Sequence, residues 1–236
     1  MVNVRLGLVK FTGIAVDLLF PRRCVGCGRE GEFICRTCLS SLSRIMPPLC
    51  PRCGQPQPSG ILCPACVSRP AAIDGIRAPF RFDGAIRQAI HELKYRNLRA
   101  LSGTLARLLF DYLAKNPMPA EVLVPVPLHH KRLRERGYNQ AGLLAKELGK
   151  ITGRPVVDDC LVRQRPAPPQ ARTATATERW ANVADAFACR DQRLRGRAVL
   201  LIDDVATSGA TLDASATALK AGGAASVWGL VLAREI

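Results

Sequence analysis

Short apolar runs alternate with amphipathic stretches along the last two-thirds of the chain. Runs rich in Val, Leu and Ile predict strands at residues 121–127, around 156–161, at 198–204 and at 226–233. Apolar residues at three- and four-residue spacing predict helices over residues 85–96, 101–115, 138–151 and 210–222. Before them, residues 76–82 have the pattern of a hairpin or an edge strand. This alternation predicts an α/β domain with a mainly parallel sheet.

The first twenty residues follow a different pattern. Lys10 and Asp17 interrupt their apolar run and no small-residue cleavage site follows, so the segment is not a typical signal peptide. It is also shorter than the roughly 20 apolar residues of a membrane span. We predict an amphipathic helix over residues 1–20, or alternatively a peripheral membrane contact. The side chains available for packing on a domain or partner are Leu6, Val9, Ile14 and Leu18.

Composition adds a strong positive charge to this picture. The chain has 236 residues, 48% of them hydrophobic, with 34 Lys and Arg against 19 Asp and Glu. That hydrophobic content is typical of a packed globular protein and excludes wholesale disorder. The basic surface favours phosphorylated substrates, nucleic acid or anionic membranes, although charge alone identifies no partner. Without an export signal, we expect the protein in the reducing cytoplasm, where paired cysteines favour metal over disulfides.

Eight of the ten cysteines form four CxxC pairs. Two such pairs supply the four thiolates of a closed, structural zinc site, and neighbouring Gly and Pro residues supply the turns. The spacing predicts a double zinc ribbon over residues 21–70 with two zinc ions. The first site comprises Cys24, Cys27, Cys35 and Cys38, and the second comprises Cys50, Cys53, Cys63 and Cys66.

Two alternatives for these cysteines remain open in the sequence. A cross-braced arrangement pairs the first knuckle with the third, and four thiolates also suit an iron–sulfur cluster. Cys160 and Cys189 lie outside the pattern and are interpreted as small buried apolar residues. A short linker containing Pro70 follows the last knuckle, so a second domain is predicted over residues 73–236.

The candidate site for chemistry lies at the end of the strand predicted over 198–204. In parallel sheets ligands bind at the carboxyl ends of the strands, where Asp203 and Asp204 stand. Such carboxylates accept hydrogen bonds from ribose hydroxyls or hold a divalent ion through water. A loop of small and hydroxyl residues and a helix N-terminus come next and suit a phosphate. The phosphate-binding candidates are Val205, Ala206, Thr207, Ser208, Gly209, Ala210 and Thr211.

The stretch VLLIDDVATSGATL, residues 199–212, resembles the 5-phosphoribosyl 1-pyrophosphate (PRPP) signature of phosphoribosyltransferases. Together with VPVPLHHKRLRERGYNQ, LVRQRPAPPQ, ERWANVADAF and the paired cysteines, nearly the whole chain resembles the ComF family of bacterial competence-type proteins. The resemblance implies a type I phosphoribosyltransferase fold behind a double zinc ribbon. It also implies PRPP with Mg²⁺ as ligands and, for some relatives, a role in the uptake of transforming DNA.

Further phosphate contacts are expected in the segment after the strand at 121–127. The cations Lys131, Arg132, Arg134 and Arg136 suit a leaving pyrophosphate, and Lys131 and Arg136 are the preferred ligands. His129 and His130 are interpreted as bystanders. The Pro-, Ala- and Thr-rich residues 163–179 predict a mobile hood, an idle linker being the alternative. Its ligand contacts are expected from Gln170, Arg172 and Arg179, while Lys94 and Tyr95 fit the ComF pattern without a clear role.

Three functions follow from these observations. The first is an enzyme that transfers a phosphoribosyl group from PRPP to an unidentified acceptor. The second is a single-stranded DNA-binding competence protein, although only Trp180 and Trp228 are available as tryptophans and aromatic content is 5%. The third is a regulator that senses PRPP without consuming it.

Overall fold

The computed structural model describes residues 21–166, 175–183 and 185–236. The helix predicted over residues 1–20 and the hood contacts Gln170 and Arg172 therefore lie outside the described residues. Within them, no helix has the length and apolarity needed to cross a membrane.

A five-stranded parallel sheet lies at the centre of the α/β domain. The strands of the described chain are β1 (Gly75–Arg77), β2 (Phe80–Arg81), β3 (Val122–Pro125), β4 (Leu161–Arg163), β5 (Phe187–Cys189), β6 (Ala198–Ala206) and β7 (Ser226–Arg234). The sheet has the order β1-β7-β6-β3, and β2 follows β1 along the same side of β7. Because both short strands run parallel to β7, the edge-strand interpretation is confirmed and the hairpin is wrong.

Two strands differ from the prediction. The strand expected around residues 156–161 is displaced, since Val156 makes only an isolated bridge to Leu123 and the strand β4 begins at Leu161. There it pairs with β5 in a separate antiparallel sheet. The strand β6 continues two residues beyond the acid pair, because Val205 and Ala206 stay paired with β7.

The helices cover the predicted ranges and add short ones. They are α1 (Arg36–Ser40), α2 (Pro64–Val67), α3 (Gly84–Tyr95), α4 (Leu101–Lys115), α5 (His130–Arg136), α6 (Gln140–Thr152), α7 (Ala176–Ala181) and α8 (Ala210–Ala221). The helix α5 lies in the basic segment after β3, for which no helix was predicted. His129 begins it by accepting a hydrogen bond at Nδ1 from the N–H of Lys131, and Gly137 ends it with φ of 78°.

The core fills both faces of the sheet. Leu200 and Ile202 pack with residues of α3, α4 and α6, whereas Val199 and Leu201 pack with residues of α8 and the β4–β5 sheet. Successive side chains of a strand point to opposite faces, which explains this division. The arrangement confirms the predicted α/β class, with a parallel sheet preceded by two four-cysteine groups.

The two ribbons are structural repeats of each other. In each, the glycine after the second cysteine donates its N–H to the carbonyl of the first cysteine, at 2.7 Å in one ribbon and 2.9 Å in the other. A short antiparallel bridge flanks each turn, and the third cysteine caps a short helix. The corresponding pairs are Cys24 with Cys50, Gly28 with Gly54, and Cys35 with Cys63.

The ribbons pack closely against the α/β domain. In the segment that links the two ribbons, the N–H of Ile45 donates to the carbonyl of Pro79, and the carbonyl of Ser43 accepts from the N–H of Arg81. Ile34 and Leu42 enter the same core cluster as the helices α3 and α4. The division of the chain near residues 70–73 therefore stays a prediction, since the two parts share apolar contacts.

Candidate functional site

The acid pair lies where the chain changes from one face of the sheet to the other. β3 and β6 are neighbours, and the helix α6 after β3 packs on one face while the helix α8 after β6 packs on the opposite face. In open parallel sheets a crevice forms outside the carboxyl ends of two such strands. The segment after Pro125 and the acids Asp203 and Asp204 meet at this crevice.

Asp204 faces the side of the sheet that α3, α4 and α6 cover, and it forms an ion pair there. Its Oδ1 lies 2.6 Å from Nζ of Lys94, in the last turn of α3, and its side chain is 3% exposed. Burial acts to lower the pKa of Lys94, but the charge and hydrogen bond of Asp204 outweigh it, so this pKa is raised. Lys94, which had no clear role in the sequence, therefore holds the second acid of the signature.

Asp203 points to the other face and has a different environment. Its Oδ1 accepts a hydrogen bond of 2.9 Å from the N–H of Asp204, and its side chain stays partly accessible. Burial, followed by the charge of Asp204, raises the pKa of Asp203 to about 7, while Lys94 and Arg163 act in the opposite direction. The two adjacent acids are thus unequal, and Asp203 is the more accessible one.

The hydroxyl-rich loop leads from β6 into α8. Gly209 has φ of 83° and caps the helix, and Oγ of Ser208 accepts a hydrogen bond of 3.4 Å from the N–H of Ala210. The first-turn N–H groups of a helix have no intrahelical partners and attract an anion. Of the candidates, Thr207, Ser208, Gly209, Ala210 and Thr211 belong to this turn, whereas Val205 and Ala206 lie in the strand.

A basic cleft of about 410 Å³ lies beside Lys94. Arg136 stacks over the ring of Tyr95 at 5.5 Å and donates to Oε1 of Gln140. Lys131 is exposed on α5 and is not among the residues of this cleft. The cleft is lined by Lys94, Tyr95, Asn97, Arg132, Glu135, Arg136 and Tyr138.

The RGYNQ element has a structural explanation. Gly137 ends α5, the hydroxyl of Tyr138 donates to the carbonyl of Leu93, and Asn139 caps α6 by accepting from the N–H of Ala141. Nδ2 of Asn139 also donates to the carbonyl of Val126 at 3.0 Å. The element therefore holds the segment after β3 in place, and only Arg136 of its residues lies in the basic cleft as a cation.

His129 and His130 stack on each other with ring centroids 3.9 Å apart. Burial, followed by the charges of His130 and Arg163, lowers the pKa of His129. A neutral ring suits its structural task, since Nδ1 accepts the helix-capping hydrogen bond. The geometry agrees with the interpretation of His129 as a bystander to chemistry.

The described part of the predicted hood includes α7. Thr175 and Glu178 form a capping box at its start, and Arg179 Nη1 lies 3.5 Å from Glu235 Oε2. Arg69 stacks over the ring of Trp180 at 4.7 Å.

Arg163 stands at the start of the hood segment and is partly buried. Its pKa is lowered by burial and by the charge of Arg132, although Asp203 opposes this change. Arg163 and Arg132 thus join the site through a tertiary proximity that sequence spacing does not reveal.

The eight paired cysteines form two groups of four, and within each group the sulfurs lie within 4.8 Å of one another. The grouping is the sequential one, with Cys24, Cys27, Cys35 and Cys38 in one site and Cys50, Cys53, Cys63 and Cys66 in the other. Tetrahedral zinc with Zn–S bonds of about 2.3 Å places sulfurs about 3.8 Å apart. The Cys27–Cys35 and Cys53–Cys63 sulfur separations are 3.6 and 3.7 Å, so both sites are compatible with structural zinc.

One thiol in each site is prepared to ionise. Burial opposes ionisation of Cys24, but N–H donors of Cys35, Cys27 and Gly26 lower its pKa to about 6. In the second ribbon burial likewise opposes ionisation of Cys50, but the N–H donors of Cys63, Cys53 and Arg52 lower its pKa to about 6. Metals bind thiolates, so these backbone donors favour ligation. Cys160 is buried, as predicted, and burial raises its pKa to about 12; Cys189 is partly buried.

Comparison with known proteins supports the description of the paired cysteines as ribbons. A family model described as a double zinc ribbon domain matches residues 15–67. Two solved structures show weak likeness. A glutamine PRPP amidotransferase from B. subtilis complexed with ADP and GMP has a TM-score of 0.37 and 19% sequence identity, and the match covers 54% of this chain and 25% of that one. The structure of TT1426 from Thermus thermophilus has a TM-score of 0.33 and 17% identity, and the match covers 55% of this chain and 72% of that one. Scores this low carry no functional argument.

Curated relatives match almost the full length. Competence protein ComFC of Bacillus subtilis is 30% identical over 215 residues, which cover 88% of this chain and 86% of the relative. Competence protein F of Haemophilus influenzae is 30% identical over 233 residues, covering 91% and 98%. DNA utilization protein YhgH of Escherichia coli is 29% identical over 209 residues, covering 86% and 91%. Because this identity extends along nearly all of each protein, the chain belongs to the ComF family.

Proposed function

We propose that the chain binds a 5-phosphorylated ribose, with PRPP as the first candidate and Mg²⁺ as its accompanying metal. One arrangement carries the proposal: the acid pair, the Thr207–Thr211 turn and the N-terminus of the 12-residue helix α8 follow one another at the crevice beside β3. Carboxylates for hydroxyls and a helix N-terminus for phosphate are the complementary groups for such a ligand.

The acid pair, the turn and the basic cleft differ in charge and accessibility, so each is assigned a different part of the ligand. The 5′-phosphate lies against the turn, which offers backbone N–H groups and the hydroxyls of Thr207, Ser208 and Thr211. Asp203, the accessible acid, receives the ribose hydroxyls. The diphosphate lies toward the basic cleft, where Lys94, Arg132 and Arg136 supply positive charge.

Phosphoribosyl transfer is the reaction that these groups fit. An acceptor atom forms a bond to C1′ while the bond from C1′ to the diphosphate oxygen breaks, and the diphosphate leaves with the electron pair. Mg²⁺ supplies charge neutralisation on the phosphates when bound. The cations of the cleft stabilise the negative charge that develops on the leaving group. A PRPP sensor uses the same pocket without this bond cleavage, so the release of pyrophosphate separates the two functions.

Calorimetry of the full chain with PRPP and Mg²⁺ tests the proposal. We expect a saturable titration that Asp203→Asn weakens at least about tenfold, because a charge-assisted hydrogen bond is lost. Asp158→Asn is the matched control, since Asp158 pairs with Lys146 on the surface. A flat titration for the unaltered chain contradicts the proposal. If binding occurs, a pyrophosphate assay with a panel of acceptor bases distinguishes a transferase from a sensor.

Single-stranded DNA is a second candidate ligand. The relatives are named competence and DNA utilization proteins, and the basic cleft combines cations with the exposed ring of Tyr95. Stacking on aromatic rings and contacts to phosphates are the usual means of binding single strands. In this case affinity falls steeply with salt, Arg132→Gln and Arg136→Gln weaken it, and Asp203→Asn leaves it intact or raises it. Fluorescence anisotropy with a labelled oligonucleotide measures all three effects.

A further inference from the structure

Arg234 is a buried cation at the carboxyl end of β7. Arg234 is 2% exposed, and its backbone pairs with Ala206 of β6 and Arg81 of β2. Among the residues that the structure describes, Nε and Nη1 of its guanidinium have no hydrogen-bond partner. A buried charge without partners is costly, so these two donors need an acceptor that the described residues do not offer at hydrogen-bond distance.

The groups that face Arg234 are the thiols of the second ribbon. Burial lowers the pKa of the Arg234 guanidinium, and the charges of Cys53, Cys66, Cys63 and Cys50 all oppose that change. Three of these cysteines and Arg234 line one cavity of about 200 Å³ between the second ribbon and the α/β domain. Arg234 thus lies beside the second four-cysteine site.

Charge makes this contact specific to a loaded site. Four thiolates around one Zn²⁺ leave a net charge of about −2, and sulfur ligands still accept hydrogen bonds. Among the described residues, Arg234 is the only buried arginine, and it lines a cavity with cysteines of the second site. Within the part of the chain that the structure describes, the second ribbon therefore has a buried guanidinium beside its cysteines and the first ribbon has none.

We propose that Arg234 is the charge partner of the second metal site, donating from Nε and Nη1 to its thiolate sulfurs when the metal is bound. Arg234 is then a positioning residue for the phosphate loop as well. Its neighbour Glu235 donates its N–H to the carbonyl of Ala206 at 3.0 Å, and Thr207 follows Ala206 directly. Thr207, Ser208 and Gly209 line the same cavity as Arg234 and the cysteines. Occupancy of the second site thereby stabilises the strand ends from which the loop departs, whatever ligand the loop takes.

Metal release from the full-length, zinc-loaded chain tests this assignment. A thiol-reactive reagent combined with a metal indicator follows the two ions separately, and ¹¹³Cd NMR of the cadmium-substituted chain identifies each site. We expect Arg234→Met to accelerate release of one ion about 10- to 100-fold and to shift one ¹¹³Cd signal, because outer ligands of metal sites have effects of this size. The other ion and its signal stay unchanged. Arg81→Met is the matched control, since Arg81 is the exposed backbone partner of Arg234.

A measurement on the unaltered chain keeps the proposal falsifiable if Arg234→Met does not fold. A hydrogen bond from Nε–H to a cadmium-bound sulfur gives a scalar coupling between that proton and ¹¹³Cd, and loss of the peak in Arg234→Lys assigns it. Detection of the coupling supports the proposal. Its absence, or equal release of both ions in wild type and Arg234→Met, overturns the assignment.

Discussion

Nζ of Lys94 lies 2.6 Å from Oδ1 of Asp204, and this contact joins the last turn of α3 to the carboxyl end of β6. The other oxygen, Oδ2, is buried without a hydrogen-bond partner among the described residues. Lys94 therefore compensates the charge of Asp204 through one carboxylate oxygen, while the other stays buried. Loss of one partner from such a buried pair leaves the other charge uncompensated and is strongly destabilising.

Replacing Lys94 alone should lower the free energy of unfolding more than replacing Lys94 and Asp204 together. Lys94→Met leaves a buried carboxylate without compensation, and we expect it to lower the free energy of unfolding by about 3 kcal/mol. Asp204→Asn added to Lys94→Met removes the unpaired charge and should recover most of that loss. Urea denaturation of the two single variants and the double variant measures the coupling. Simple additivity of the single effects would show that the two side chains do not interact in solution.

Asp203 should destabilise the protein at neutral pH. Its pKa of about 7 exceeds the ordinary value of 3.8, so between these values the native state binds more protons than the unfolded state. The free energy of unfolding therefore decreases as pH rises through this window and levels off above it. Asp203→Asn should be more stable than wild type at about pH 8 and lose this advantage toward about pH 4. Thermal unfolding across this range measures the difference, and a constant difference would exclude the raised pKa.

Metal stoichiometry distinguishes the two ways of pairing the CxxC knuckles. With sequential sites, Cys27→Ser combined with Cys38→Ser damages one site and leaves one zinc per chain. Cys27→Ser combined with Cys53→Ser damages both sites and leaves none. A cross-braced arrangement reverses these two results. Elemental analysis of the purified variants provides the count, and wild type with two zinc ions is the reference.

Two equivalent glycines should respond differently to the same substitution. Gly28 and Gly54 have φ of 76° and 73°, so alanine costs about 1–2 kcal/mol of backbone strain at either position. A Cβ at Gly28 meets nothing within 4 Å, whereas a Cβ at Gly54 overlaps the carbonyl oxygen of Ile76 in β1. Gly54→Ala should therefore cost roughly 1–3 kcal/mol more, because the second ribbon is displaced from the sheet. Equal melting temperatures for the two variants would contradict this docking.

Much of the architecture could be predicted from local pattern. The helix over residues 101–115 has the predicted bounds, because its apolar periodicity is uninterrupted between polar ends. The strand β6 was found because five apolar residues precede the acid pair, but its end was set two residues early. Pairing with Ala233 and Arg234 of β7 extends it, and such pairing depends on a partner that the local sequence does not specify.

The candidate site shows the same limit. Asp203, Asp204 and the turn after them could be identified because strand, acids, loop and helix are consecutive in the sequence. Lys94 and Arg163 could not be assigned roles, since each reaches the acids from a distant element. The preference for Lys131 over Arg132 as a phosphate ligand stays a prediction; the turn of α5 places Arg132, and not Lys131, among the residues of the basic cleft.

The hydrogen bonds of residues 43–45 with residues 79–81 have a consequence for solubility. Unpaired strand edges invite pairing with other chains, and proteins usually cover them. Here the link between the two ribbons covers the exposed side of β2, with Arg44 bridged to Phe80. An α/β fragment cut free of its ribbons would expose that edge and should self-associate, so the metal-binding module also acts as a guard against aggregation.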